Sequence, residues 1–172
     1  MTTEFLPAFE YVMQYEDSRH TWCAATDNNG GMVIAGINSK SFPLAVVSIL
    51  AMGQSQREPA IQTFYRNNLW VPMQLGGLDS QDLANRVMDM ETNSWEPQAA
   101  HELQKAINVC TPGRVTVDGV VGPLTIAAAN AQNQTFLLNA FRAQRVSYYD
   151  EIAVKNSSDQ KYLNAWLARA QA

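Results

Sequence analysis

Apolar residues recur at spacings of three and four along most of this chain, a period that fits α-helices rather than strands. In residues 3–16 the spacing predicts a helix with five apolar side chains on one face: Phe5, Leu6, Phe9, Val12 and Met13. The same period predicts further helices over residues 44–52, 58–67, 81–91, 96–109, 123–131, 135–154 and 159–170. The sequence therefore predicts a mainly α fold.

Two segments interrupt the helical pattern. Residues 17–41 are polar, and the run Met32-Val33-Ile34 after Gly30-Gly31 predicts a small β-hairpin. Residues 111–122 contain turn-forming glycines and predict a second hairpin or a loop. Residues 72–78 predict a turn, after which Asp79 or Ser80 can cap the next helix. We expect one helical domain over residues 1–172 with a small β-hairpin element.

The composition narrows the functional classes. The chain has 172 residues, of which 47% are hydrophobic and 16% charged, a balance that excludes disorder and supports a sizeable core. No apolar run reaches the ~20 residues that span a bilayer, so we expect no membrane insertion. The net charge is −4 and no basic stripe is visible, which argues against nucleic-acid binding.

Cysteine and histidine are sparse. Cys23 and Cys110 do not form a disulfide framework, and whether they pair is left open. His20 and His101 are isolated and lack zinc-ligand spacing, so we expect no metal and no organic cofactor. The sequence also lacks a GxSxG elbow, a glycine-rich phosphate loop and an HExxH motif.

Glu16 is the strongest candidate for a catalytic group. It lies four residues after Val12, on the apolar face, and in the last turn of the predicted helix. Partial burial and the helix C-terminus both disfavour a negative charge, so we expect the carboxyl group to hold its proton to higher pH. A general acid needs such a proton to protonate a glycosidic oxygen. The structural alternative is a solvated acid at a helix end, beside Asp17 and Arg19.

Glycoside cleavage usually requires a second carboxylate, as nucleophile or as base for water. Asp27 is the leading candidate, because its loop would face the end of the first helix. It is equally compatible with a structural role in an Asx-turn before Gly30. Asp89 and Glu91 are the remaining options.

Several aromatic side chains could stack on sugar rings, although most aromatic residues in proteins belong to the core. The candidates are Tyr15, Trp22, Trp70 and Trp95. With the polar candidates added, the predicted substrate-binding residues are Tyr15, Trp22, Asn28, Asp89 and Asn93.

Three blocks of the chain carry motifs that follow one another in a fixed order. The first block comprises residues 15–18 and residues 28–38. The second comprises Phe64, Tyr65, Trp70, residues 86–89 and Asn93. The third comprises residues 103–106, residues 117–125, Arg145, Tyr148, Tyr149, Trp166 and Arg169. Together they resemble glycoside hydrolase family 108, the lysozyme-like muramidases of phages and bacteria.

The resemblance implies a lysozyme-like helical fold and Glu16 as the catalytic acid. The family's aspartate segment falls on Asn28, or on Asp27 with an offset of one residue. Residues 98–171 resemble the family's peptidoglycan-binding segment, which we expect to pack as part of the same domain. Asp17-Ser18 stands where the family has two glycines.

The function implied is that of an N-acetylmuramidase, which cleaves the β-1,4 bond between N-acetylmuramic acid and N-acetylglucosamine in peptidoglycan. Glu16 would donate the proton, and Asp27 would stabilise positive charge or orient water. The alternative is a peptidoglycan-binding module without catalysis, which two departures from the family motivate: Asp17-Ser18, and Val33 where the family often has a threonine.

The N-terminus lacks the basic region of a signal peptide, so we expect synthesis in the cytoplasm without one. The substrate would then be reached in the periplasm by one of two routes. A phage endolysin is released through a holin pore, whereas an antibacterial effector is delivered by type VI secretion. The second route implies an immunity protein as partner. Peptidoglycan strands are the expected substrate, and the expected state is a monomer.

Overall fold

The computed structural model describes residues 3–27, 30–94 and 97–172, and the fold is mainly helical with one small sheet. The helices are α1 Phe5–Glu16, α2 Pro43–Ala51, α3 Gln54–Tyr65, α4 Gln81–Ser94, α5 Gln98–Cys110, α6 Pro123–Asn130, α7 Gln134–Lys155 and α8 Gln160–Gln171. Shorter turns of helix lie at Arg66–Trp70, Leu75–Gly77 and Ser157–Asp159. The predicted fold class, helices with a small β element, is confirmed.

The sheet has three antiparallel strands in the order β1 Ala25–Thr26, β2 Met32–Ile34 and β3 Ile37–Asn38. Val33 pairs with Ala25 on one side and with Asn38 on the other. The predicted hairpin around residues 30–34 is therefore confirmed, while Asn28 and Asn29 lie outside the described residues. The tight turn between β2 and β3 consists of Ala35 and Gly36, both with positive φ.

Most predicted helices agree with the observed ones to within a few residues. Ser80 caps α4, because its hydroxyl oxygen accepts a hydrogen bond from the N–H of Leu83 at 3.2 Å. The prediction for residues 58–67 was wrong at both ends. The helix begins at Gln54 and tolerates Pro59 inside it, and the chain continues beyond Tyr65 as a π-helix to Trp70.

The core forms where the apolar face of α1 meets α4. Phe9, Val12 and Met13 of α1 are fully buried, as are Val87 and Met88 of α4. Leu6, predicted on the same face, is instead 52% exposed.

The second half of the chain continues this packing. α5 lies against α4 and α7, and α8 lies against α7. Residues 111–122 form a loop without a strand, which is one of the two predicted outcomes. In the described part of the chain no helix is both long enough and apolar enough to cross a membrane.

Candidate active site

Glu16 is the last residue of α1, and its side chain is 19% exposed. The helix end is fixed by the next residue. The carboxylate of Asp17 accepts hydrogen bonds from the N–H groups of Thr21 at 3.0 Å and Trp22 at 2.7 Å. The loop that follows Glu16 is therefore folded back onto α1, and the Glu16 carboxyl group is half-buried, as the apolar spacing predicted.

Arg169 of α8 holds one oxygen of Glu16. Its Nη2 donates to Glu16 Oε1 at 2.7 Å and to Asp89 Oδ1 at 2.7 Å, and its Nε donates to the same Asp89 oxygen at 3.0 Å. The guanidinium lies 4.5 Å from the centre of the Tyr15 ring, a distance typical of a cation–π contact. This arginine thus connects α1, α4 and α8 at the end of the first helix.

Asp89 is fully buried and binds a second arginine. Its Oδ2 accepts a hydrogen bond at 2.9 Å from Nη2 of Arg145, whose side chain is also fully buried. A buried carboxylate is stable only when it is paired and hydrogen-bonded. Two acids and two arginines, one of each fully buried, therefore form a continuous ionic chain in the order Glu16, Arg169, Asp89, Arg145.

The turn between β2 and β3 lies against the other oxygen of Glu16. A Cβ placed on Gly36 would stand 3.0 Å from Glu16 Oε2 and 2.7 Å from the hydroxyl oxygen of Tyr65. Tyr65 is fully buried and donates a hydrogen bond to the carbonyl oxygen of Ala35 at 2.7 Å. Only a glycine lets the turn approach the carboxyl group this closely, and among the described residues Oε2 has no hydrogen-bond partner.

The electrostatics of this cluster follow from its burial and its charges. Burial, and next the negative charge of Glu16, raises the pKa of Tyr65 well above its usual value, so the hydroxyl stays protonated. Burial alone would lower the pKa of Arg169, but the carboxylates of Asp89 and Glu16 raise it, so the guanidinium stays charged. The ion pair with Arg169 is an influence on Glu16 that the sequence argument did not include.

Asp27 stabilises the hairpin by its side chain. Its Oδ1 accepts a hydrogen bond from the N–H of Gly31 at 2.7 Å, and its Oδ2 accepts one from the side-chain amide of Asn38. Asp27 thus has a structural role in the hairpin, although its bond to Gly31 spans four residues rather than the two of the predicted Asx-turn. Asp27 and Glu16 contact the same small sheet, Asp27 at β3 and Glu16 at the β2–β3 turn, and the catalytic role of Asp27 stays a prediction.

The remaining predicted site residues lie at different places. Tyr15 is 38% exposed and lies beside Arg169. Trp22 is buried between the rings of Phe9 and His20. Asn93 donates a hydrogen bond to the Tyr149 hydroxyl at 3.1 Å. Asn28 lies outside the described residues.

The structure thus brings Tyr15, Glu16 and Asp89 together, with Arg169 between them. Asp89 is fully buried and offers no exposed oxygen, so a direct contact with substrate would require it to move. The Glu91 carboxylate, the other acid considered on α4, accepts a hydrogen bond from the N–H of Ala99 at 3.2 Å.

The other candidates take no part in this cluster. Trp70 lines a cavity of about 580 Å³ between the π-helix and α6, and none of the described residues that line this cavity is titratable. Trp95 lies outside the described residues. Cys23 is exposed and Cys110 half-buried, and both are free thiols. Within residues 3–27, 30–94 and 97–172 no group of three or more potential metal ligands is found.

Sequence reasoning assigned no role to Arg169, Arg145, Tyr65 or Gly36, although all four lie in the motif blocks. Their positions give a partial signal. A buried arginine needs a carboxylate partner, so Arg145 and Arg169 could have been considered as partners for the candidate acids Glu16 and Asp89.

Comparison with known proteins relates the C-terminal part of the chain to peptidoglycan. The sequence model of a family described as "Predicted Peptidoglycan domain" matches residues 98–171. This segment contains α5 to α8 and includes both arginines of the ionic chain. The match covers less than half of the chain, and it supports an association with peptidoglycan without identifying a hydrolase.

Among the solved structures that are similar to this chain is one described as "Structure of Brucella abortus SagA". It matches with a TM-score of 0.72 and 19% sequence identity. The match covers 97% of this chain and 89% of that one. At this identity the likeness concerns the fold. No curated protein matches the sequence.

Proposed function

We propose that this protein is a peptidoglycan hydrolase of the N-acetylmuramidase type, with Glu16 as its general acid. The observation that carries the proposal is the different surroundings of the two oxygens of the Glu16 carboxyl group. One oxygen is held by Arg169 at 2.7 Å, and the other makes no hydrogen bond with the described residues. The side chain is 19% exposed, so part of it faces solvent, and the proposal requires that a substrate oxygen reaches the second oxygen from that side.

In this reaction Glu16 transfers a proton to the oxygen of the leaving sugar. A protonated carboxyl group can accept a hydrogen bond from Arg169 at Oε1 while it carries its proton on Oε2. Delivery of that proton as the glycosidic bond breaks removes the need for an alkoxide leaving group. Positive charge then develops on the sugar ring, and Asp27 is the carboxylate proposed to stabilise it or to orient the attacking water.

The matched segment over residues 98–171 supports peptidoglycan as the substrate class. The sequence motifs narrow this proposal to the bond between N-acetylmuramic acid and N-acetylglucosamine. Proteins with this activity serve cell lysis as phage endolysins or as antibacterial effectors delivered by type VI secretion. Neighbouring genes separate the two, because a holin accompanies the first and a periplasmic immunity protein the second.

Digestion of purified Gram-negative sacculi tests the proposal, with the soluble products identified by mass spectrometry. Wild type is compared with Glu16→Gln and with Glu10→Gln, which removes an exposed acid from the same helix. We expect muropeptides with reducing N-acetylmuramic acid ends from wild type and Glu10→Gln only. Reducing N-acetylglucosamine ends or anhydro ends would contradict the muramidase assignment.

The second candidate is a peptidoglycan-binding module without catalysis, which the family match over residues 98–171 also accommodates. This candidate predicts that wild type and Glu16→Gln bind sacculi equally and that neither releases soluble fragments. The same digestion therefore separates the two functions, provided that the bound protein is measured in the pellet.

A further inference from the structure

We infer that Arg169 is a positioning residue for Glu16, and that the C-terminal segment thereby completes the catalytic centre formed by the first half of the chain. This inference rests on the proposed function. Glu16 and Arg169 are 153 positions apart in the sequence, yet their side chains meet at 2.7 Å. Arg169 belongs to α8, within the segment that matches the peptidoglycan family.

The orientation of Arg169 is set by Asp89 rather than by Glu16. Two nitrogens of the guanidinium, Nε and Nη2, contact Asp89 Oδ1 at 3.0 and 2.7 Å. Asp89 is in turn fixed by Arg145, and both side chains are fully buried. An arginine with its planar group held in this way is a preorganised donor, since it loses little conformational freedom when Glu16 binds to it.

The contacts of Arg169 on its other side restrict it further. The guanidinium lies 4.5 Å from the centre of the Tyr15 ring, and the side chain is 12% exposed. A second position for the arginine would separate it from both Asp89 and the aromatic face. The Nη2 donor aimed at Glu16 is therefore held at one place relative to α1.

A fixed donor on Oε1 determines where the other oxygen lies. Rotation of the carboxyl group would break the 2.7 Å contact, so Oε2 stays beside the Gly36 turn. General acid catalysis depends on such placement, because displacement of a reacting group by about 1 Å can cost on the order of 100-fold in rate. Arg169 thus acts through Glu16, and the proposal gives it no contact with substrate.

The steady-state kinetics of four proteins on solubilised glycan strands test this inference: wild type, Arg169→Gln, Arg169→Lys and Lys161→Gln. Lys161 is an exposed cation of the same helix, so its variant matches the loss of charge. We expect Arg169→Gln to lower kcat by roughly 100-fold while KM changes little. Arg169→Lys should restore part of kcat, because it returns the charge but not the planar fork. Lys161→Gln should match wild type.

Three outcomes would overturn the inference. The first is an unchanged kcat in Arg169→Gln, and the second is a fall in activity that only follows the fraction of folded protein. The third is an Arg169→Lys variant with the same kcat as wild type. If Arg169→Gln does not fold, the kcat of Arg169→Lys is the deciding measurement. An inactive wild type contradicts the proposed function and with it this inference, whereas an active wild type with unaffected Arg169 variants contradicts the inference alone.

Discussion

Gly36 lies directly against Glu16, so the β-sheet and the first helix meet at the proposed catalytic carboxyl group. A Cβ on Gly36 would stand 3.0 Å from Glu16 Oε2 and 2.7 Å from the Tyr65 hydroxyl oxygen. The residue also has φ of +77°, in the region that favours glycine. The closeness of the turn and its backbone conformation both restrict this position to glycine.

Gly36→Ala should therefore lower both stability and activity. The left-handed backbone costs an alanine about 1 kcal/mol, and the new methyl group must displace Glu16 or Tyr65. Gly30→Ala is the matched control, because Gly30 has the same φ of +77° and no described atom within 4 Å of its added Cβ. We expect urea unfolding to show a larger loss for Gly36→Ala and hydrolysis to fall in that variant alone. Equal effects of the two substitutions would contradict the close contact.

Because the Tyr65 hydroxyl is buried, we expect the protein to lose stability at alkaline pH. Burial raises its pKa well above the ordinary value near 10, so the folded state keeps a proton that the unfolded state loses. Its contribution is fully present below about pH 10 and falls by about 1.4 kcal/mol per pH unit above it. Burial also raises the pKa of Tyr11, to about 12, so Tyr11 adds to the same slope.

The free energy of unfolding between pH 8 and 11 measures this effect. Tyr65→Phe should flatten the slope above pH 10, and at neutral pH it should cost about 1 kcal/mol for the hydrogen bond to Ala35. Tyr11→Phe is measured in the same way, because it should remove only the part of the slope that Tyr11 contributes. A wild-type slope in Tyr65→Phe would show that this hydroxyl is not the group that resists ionisation.

Asp89→Asn should be strongly destabilising. The substitution leaves Arg145, which is fully buried, and Arg169 without their shared carboxylate. Loss of one partner from a buried ion pair costs about 3–5 kcal/mol. Asp82→Asn on the same helix is the control, because its carboxylate is 70% exposed and its pair with Arg86 is long, at 3.5 Å. Urea denaturation should show less than about 1 kcal/mol for that control, and comparable losses in the two variants would contradict the ionic chain.

Asp27→Asn alone cannot separate catalysis from hairpin structure, because an asparagine would place its amide against the amide of Asn38. The exchange variant Asp27→Asn with Asn38→Asp restores an amide–carboxylate hydrogen bond and moves the charge to position 38. If Asp27 is catalytic, thermal stability should recover in the exchange variant while hydrolysis stays low. Recovery of both would assign Asp27 to the hairpin only, and full activity of Asp27→Asn would also contradict its catalytic role.

Local sequence pattern predicted the helices and the hairpin because their causes are local. The apolar spacing of Phe5, Phe9 and Val12 determines which face of α1 is buried, and the glycines at positions 30 and 31 mark the turn before β2. The start of α3 at Gln54 was missed because its first residues carry no apolar pattern, and the helix accommodates Pro59 inside it. Local signals of this kind are weakest at element boundaries.

The partners of Glu16 could not be predicted from local pattern. The position of Glu16 on α1 follows from the helical period, but its ion pair with Arg169 depends on how α8 returns to α1. The same holds for Asp89 and Arg145, which lie 56 positions apart. Helical periodicity identifies a buried charge and leaves its distant partner undetermined.

The most direct test of the central claim compares the rates at which wild type and Glu16→Gln release reducing ends from purified sacculi, each corrected for the amount of bound protein. Glutamine keeps the shape and the contact with Arg169 but cannot donate the proton. We predict a fall of at least ~100-fold, the usual scale for loss of a general acid, with binding to sacculi and the unfolding temperature little changed. Release of the same products by Glu16→Gln at the wild-type rate would contradict the assignment of Glu16 as the catalytic acid.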